Sequence, residues 1–489
     1  MPMRFVFNCS EHVGHLNPTL PVVKALVDAG HEVHFVCLEI AREKIEDVGA
    51  VFHNTMDIQS ELYAGRGLQD SHSQIPKLAL FSIIEEQGLE MSFLSILKCL
   101  NVSLEMELPG ILRFLQKLKP DVLIYDPIFI SRAAPLAAKI LGIPAVGVLT
   151  LAGPGAMCNH GPALLRPMSL DDSGPLVQSF VPHMEATERI NEKYGLALKA
   201  TQLLPDGYLD TCLGNTVLVT TSEELQDPVT EATRKAYEED GTRFAFVGPL
   251  LLPSAPCTDP AVLRVREARA AGRRVVAVSM GTVITGGDKV AGWDADFDGQ
   301  SISGKDLCRA VWAGTFDASG EALVVAALGW QPDALGNVQV PSNALCVESF
   351  AQVELLRSGV DVFVTHGGQN SFTEALSCGI PVVVCPGFGD QEVNAAKAVR
   401  LGVGLKVDRP KIASPDEASH AATMYRLDVC HAVKRLLDAS ALAFRNAAKV
   451  QAEGLDMAGG VPRAVSLVLK AAADQGGLHP WSITASAGA

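Results

Sequence analysis

One pattern limits the folds open to this chain more than any other. A short apolar run, a turn of small residues, an amphipathic helix and another apolar run follow one another, and the series occurs twice. Arg4–Asn8 is apolar, residues 18–29 have helical spacing closed by Gly30, and residues 31–38 are apolar again. Asn17 before Pro18 reads as an N-cap with proline at the first helical position. Strand, helix and strand in about 35 residues make a βαβ unit. The rhythm returns in DVLIYD (121–126), a helix over 133–141, IPAVGVLT, VLVTTS (217–222) and FAFVGP (244–249). It pauses at 249–260, where four prolines mark a linker. It restarts with RRVVAVSMGT (273–282) and continues through ALVVAAL, ALCVES, DVFVTHGG and IPVVVCPG. Alternating strands and helices build a parallel sheet with helices on both faces, here twice. Residues 54–115 and 152–212 lack the rhythm and read as inserted segments of helical pattern.

Ligands of such sheets sit beyond the carboxyl ends of the strands. Residues 363–365 read as a strand and 371–378 as a helix, so His366-Gly367-Gly368 is a strand-to-helix turn. Glycines let a backbone approach a ligand closely, and a helix start offers unpaired N–H groups and a positive dipole end. That suits a phosphate. A purely structural reading also exists, because Ser371-x-x-Glu374 fits a capping box and Asn370 alone could cap. Two neighbouring strand ends favour a ligand. SMGT (279–282) is another small-residue turn, and Asp390-Gln391 follows the next strand. Two turns for phosphates and an Asp-Gln pair for hydroxyls suit a sugar nucleotide.

The segment 348–394, with THGGQNS-x-x-E-A-L-x-x-G-I-P-x-x-x-x-P-x-x-x-D-Q-x-x-N-A, resembles the donor motif of the UDP-glycosyltransferases. GHLNP and VSMGT resemble further motifs of that family, so the likeness runs through nearly the whole chain. It implies an α/β GT-B fold: two doubly wound, Rossmann-like parallel-sheet domains facing a cleft. Residues 1–249 would bind the acceptor and 261–454 the donor, joined by a linker at 250–260. A C-terminal helix at 455–474 would pack back on the first domain, and 475–489 reads as a disordered tail. His366 would contact the pyrophosphate. Gly368, Asn370 and Ser371, with Ser279, Gly281 and Thr282 from the other turn, would hold the phosphates. Glu374 would accept from the ribose, Gln352 would read the uracil or ribose edge, and Asp390 and Gln391 would hold the sugar. The family's tryptophan on uracil falls at Ser349, which leaves Phe350 to stack, and its proline before the glutamine is Ala351. Gln369 stands where plant members have tryptophan.

His15, in GHLNP, is the candidate base. Neutral imidazole can take a hydroxyl proton near pH 7, and a following helix N-terminus would keep it neutral. A carboxylate on its other nitrogen would orient it. Asp126, ending DVLIYD, resembles the family's partner for that histidine, and His12 is a nearby alternative excluded only by the Gly-His-x-Asn-Pro register. The resemblance implies inverting transfer of a hexose from a UDP-sugar, UDP-glucose, to a hydroxyl of a small, partly apolar acceptor. The UDP-sugar is a co-substrate; no resident cofactor or metal is implied. A non-catalytic helper, or an epimerase or hydrolase, on the same fold is the alternative.

A net charge of -15 repels phosphate backbones and anionic membranes, so nucleic acid is not an expected partner. No apolar stretch is long enough to span a bilayer, no signal peptide is recognisable, and the 11 cysteines lack CxxC pairs. A cytoplasmic protein, monomeric or weakly dimeric, is expected. The acidic segment 285–306 interrupts the second half. Asp294-x-Asp296-x-Asp298-Gly299 resembles the start of a calcium loop, but position twelve is Lys305. A solvated loop is expected there.

Overall fold

The computed structural model describes residues 2–66, 79–128, 131–156, 158, 168, 170–198, 216–254, 256–288, 291–296 and 299–473. The tail expected at 475–489 and Asp298 lie outside them. The described chain divides into two compact units. One holds the chain up to Leu251 and resumes at Ala458; the other spans Leu252–Met457.

The first unit contains β1 (Arg4–Asn8), β2 (Glu32–Cys37), β3 (Val51–Asn54), β4 (Val122–Tyr125), β5 (Ala145–Leu149), β6 (Thr216–Val219) and β7 (Arg243–Phe246). They form one sheet in the order β3-β2-β1-β4-β5-β6-β7, with every pairing parallel. The strands are apolar on both faces because helices cover both: Phe5, Phe7, Phe35, Leu123 and Ile124 are fully buried. The chain leaves β1 toward β2 and β3. It then runs through the helix Phe93–Leu118 and comes back as β4 on the other side of β1. The strand order therefore reverses between β1 and β4. The last described helix, Gly460–Ala473, buries Ala464 and Val468 in the core that holds Phe5, Phe7 and Val22.

The start of the first long helix differs from the expectation. Asn17-Pro18 does not open it. A one-turn helix, Val13–Leu16, comes first; the Asn17 N–H donates to Val13 O, and the Thr19 hydroxyl donates to Leu16 O. The long helix begins only at Leu20, with Pro21 in its first turn. His15 thus sits in the last turn of the short helix, and the dipole argument for a neutral imidazole does not apply to it.

The second unit contains β8 (Val275–Ser279), β9 (Leu323–Ala327), β10 (Ala344–Val347), β11 (Val362–Thr365), β12 (Val382–Val384) and β13 (Gly404–Lys406). They form a second parallel sheet, β10-β9-β8-β11-β12-β13, whose order reverses between β8 and β11. Both sheets are thus doubly wound, as the strand–helix rhythm predicted.

The acidic segment is not a solvated loop throughout. Trp293 and Ile302 are buried in the main core of the second unit. The Trp293 ring lies 6.2 Å from that of Trp312, and the Arg309 guanidinium covers its face. One indole among the aspartates outweighs the polarity around it, because burying a large aromatic contributes about 2–3 kcal/mol. Asp296 Oδ1 accepts from the Gly299 N–H within the loop. Among the described residues, no group of three or more His, Cys, Asp or Glu side chains is placed to hold a metal ion.

Candidate active site

Each sheet carries a cluster of polar side chains at its own switch point, where open α/β sheets bind ligands. In the second unit, parallel pairing sets Ser279 beside Thr365, and Val384 continues the row. Three turns therefore leave adjacent strand ends: Ser279–Thr282, Thr365–Gly368 and Cys385–Asp390. The His366 imidazole packs between two of them. A Cβ at Gly281 or at Gly368 would lie 2.5 Å from His366 Nε2, and Gly281 also has φ of +73°. Burial holds the His366 pKa below its ordinary value, against the opposing charge of Asp390. The ring is thus a neutral hydrogen-bonding group at pH 7. Gly281→Ala forces both a left-handed alanine and a shift of the ring. It is expected to cost more than about 1 kcal/mol of stability and to weaken UDP binding, read by thermal melting and calorimetry.

The helix Gln369–Ser377 starts at this turn with Gly368 as N-cap. The capping box is not made: Ser371 and Glu374 lie inside the helix, and no side chain of the capping residue closes its end. Instead Asp390 Oδ2, from the neighbouring turn, accepts from the Gln369 N–H at 2.9 Å. Glu374 is freed for another contact. Gln352 Nε2 donates to Glu374 Oε2 at 2.6 Å and to Ser371 Oγ at 3.1 Å. Burial pushes the Glu374 pKa up to about 7, against the pull of Gln352 and Arg357. Gln352, Ser371 and Glu374 thus form one polar group.

Asp390 and Gln391 are each half committed to backbone. Gln391 Oε1 accepts from the Gly387 and Phe388 N–H groups at 2.8 and 3.2 Å. Asp390 Oδ1 and Gln391 Nε2 take part in no hydrogen bond among the described residues, so one acceptor and one amide donor remain for a ligand. Phe350 is half-buried, and Ser349 is exposed beside a hollow of about 630 Å³ lined also by Val347, Glu354 and residues 256–261. Sequence reasoning missed Asp259, which lines that hollow. Its Oδ1 accepts from the Ala261 N–H and its Oδ2 from the Ala351 N–H, so it anchors the residue before Gln352. The only signal was an aspartate before Pro260 at the end of the linker.

In the first unit, His15 follows β1 and Asp126 follows β4, the two strands at the reversal. His15 Nδ1 lies 2.7 Å from Asp126 Oδ2 and 3.1 Å from Thr150 Oγ1. The Asp126 contact is at ion-pair distance without an aligned hydrogen bond, and both its oxygens are buried. The hydrogen bond at Nδ1 is with the Thr150 hydroxyl, while the Asp126 carboxylate lies close enough to offset charge on the ring; a proton on Nδ1 leaves Nε2 as the acceptor. His12 is placed differently: its Nδ1 is 2.7 Å from Ser10 Oγ and 3.6 Å from Glu11 Oε1. Thr150, one residue beyond β5, carried no motif; its place follows from β5 lying next to β4.

Known proteins similar to this chain are glycosyltransferases by description. A family model described as UDP-glucoronosyl and UDP-glucosyl transferase matches residues 309–427. The uncharacterized UDP-glucosyltransferase YdhE of Bacillus subtilis is 25% identical over 399 residues, 82% of this chain and 84% of its own. The NDP-glycosyltransferase YjiC of Bacillus licheniformis is 23% identical over 450 residues, 88% of this chain and 91% of its own. Among solved structures, the glycotransferase of kitacinnamycin superposes with a TM-score of 0.65 at 22% identity, covering 96% of this chain and 99% of that one. CalG4, the calicheamicin glycosyltransferase, gives 0.59 at 19% identity, covering 97% and 100%. These structural likenesses show the fold, which is GT-B.

Proposed function

Because this chain belongs to the UDP-glycosyltransferase family, we propose that it is an inverting enzyme moving glucose from UDP-glucose to a hydroxyl of a small, partly apolar acceptor in the cytoplasm. The observation that carries the reading is the contact of His15 with Asp126. A helper protein needs no oriented base, and an epimerase or hydrolase needs no base reserved for an acceptor alcohol. His15 Nε2 takes the hydroxyl proton while the Asp126 carboxylate, 2.7 Å from Nδ1, offsets the charge that forms. The acceptor oxygen bonds to the anomeric carbon, and the bond from that carbon to UDP breaks with its electron pair leaving on the pyrophosphate. Direct displacement inverts the carbon.

On the donor side, the turn amides, the helix start at Gln369 and the His366 ring offset charge growing on the pyrophosphate. Glu374 and Gln352 take the ribose hydroxyls. Asp390 Oδ1 and Gln391 Nε2 take the sugar, an acceptor and a donor for hydroxyls that both give and receive. No described helix is long and apolar enough to cross a membrane.

The test is transfer itself. Acceptor mixtures incubated with several UDP-sugars should yield products heavier by one anhydrohexose unit, read by mass spectrometry. Release of free sugar or an epimerised nucleotide with no acceptor product would favour the alternative. Turnover is also expected to persist in EDTA, since amides and a helix end carry the leaving-group charge. Chelation that abolished it, with Mg²⁺ or Mn²⁺ restoring it, would overturn that part.

A further inference from the structure

We propose that Arg409 is a positioning residue for the donor sugar, and that the acidic segment acts on specificity through it. The inference rests on the reading of Asp390 and Gln391 as the sugar-binding pair.

Arg409 lies three residues beyond β13, and its guanidinium joins three pieces of chain. Nε donates to Ile302 O at 3.0 Å, with Nη2 on the same oxygen. Nη2 also donates to Ala295 O at 3.2 Å, and Nη1 donates to Gly387 O at 3.1 Å. Ala295 and Ile302 belong to the acidic segment, and Gly387 belongs to the turn that carries Asp390 and Gln391. The acidic segment also meets the stretch that follows Arg409. The Ile412 N–H donates to Gln300 O at 2.8 Å, and Ser301 bridges Lys411 in antiparallel fashion.

Each link in this chain is stiff. Trp293 and Ile302 root the acidic segment in the core. The guanidinium is a planar fork that can reach three carbonyls at once, which an ammonium cannot do in the same geometry. Gly387 has little room to move, because a Cβ there would lie 2.7 Å from Ile284 Cδ1. Its N–H in turn holds Gln391 Oε1. The position of the Gln391 amide is thus set from the core through the acidic segment and Arg409. Telling one hydroxyl epimer from another depends on sub-ångström placement of such groups. Among the described residues Arg409 donates to Ile302, Ala295 and Gly387, none of them in the phosphate turns or the Glu374 group, so those groups should bind UDP without it.

Arg409→Gln and Arg409→Lys, assayed with UDP, UDP-glucose and UDP-galactose, separate this role from a general one. The KM for UDP-glucose should rise about tenfold, and the glucose-over-galactose ratio of kcat/KM should fall about tenfold. UDP affinity by calorimetry should stay within about twofold, as for a distant, uncoupled site. An unchanged ratio, or UDP affinity falling in step with KM, would overturn the proposal. If Arg409→Gln does not fold, Arg409→Lys decides, since it keeps the charge and loses the fork. Asp390→Ala and Gln391→Ala are the reference. If they too leave the ratio unchanged, the sugar-binding reading fails along with this one. If they collapse it and the Arg409 variants do not, only this inference fails.

Discussion

His15→Ala is expected to cut sugar transfer by roughly 10²–10⁴-fold, the usual worth of general base catalysis, while UDP still binds. The donor residues belong to the other compact unit, so calorimetric UDP affinity should not move. Asp126→Asn should cost less, because it removes orientation and charge support but leaves the imidazole in place. His12→Ala is the control; its Nδ1 rests near Ser10 and Glu11, and it makes no pair with Asp126. A His15→Ala enzyme within a few-fold of wild type, or a dead His12→Ala enzyme, would reverse the assignment. Acceptor chemistry gives a sharper test. Phenols ionise more easily than alkyl alcohols, so they should retain more activity with His15→Ala. Equal losses for both would mean that His15 does something other than take the proton.

Glu374→Ala is expected to weaken UDP-glucose binding by about 1.5–3 kcal/mol, the range for hydrogen bonds to a charged group, or roughly 10- to 150-fold. The loss cannot be assigned to helix capping, since Gly368 is the N-cap and Asp390 serves the first amide. A pH dependence should accompany it. With the pKa raised to about 7 by burial, the empty site is largely protonated below that pH. Ribose hydroxyls that donate to Glu374 favour its ionised form, so binding must expel the proton there. Affinity for UDP-glucose should therefore fall as pH drops below about 7, and Glu374→Gln should flatten the profile. In the empty protein the sign is opposite. A carboxyl raised above its unfolded value stabilises the fold only while protonated, so its contribution fades as pH rises from the ordinary carboxylate range to about 7. Unchanged affinity and an unchanged profile in the variant would place the ribose elsewhere.

Local sequence was enough for most strands and helices and for the turns that carry the proposed site. Apolar runs ending in His366-Gly367-Gly368 or Ser279–Thr282 are legible because side-chain periodicity and glycine act within a few residues. The same locality explains the misreadings. Asn17-Pro18 has the form of a helix start, yet the chain first turns once through Val13–Leu16. Ser371 and Glu374 have the spacing of a capping box, yet the helix begins at Gln369 and a residue from another strand end, Asp390, takes its first amide. A row of aspartates reads as solvent-facing until Trp293 finds Trp312.

What the sequence by itself determined is the inventory: two series of parallel strands, glycine turns at their ends, and the polar side chains that we propose bind phosphate, ribose and sugar or take a proton. Only the tertiary structure decided which of them meet. Strand order places β1 beside β4 and β8 beside β11, which brings His15 to Asp126 and the Ser279–Thr282 turn to His366. The pairing of Gln352 with Glu374 and the clamp of Arg409 on Gly387 are contacts across 22 residues of chain in each case. The physical reason is that such pairings depend on how whole sheets and their covering helices pack, a sum over the core that no short stretch of sequence contains.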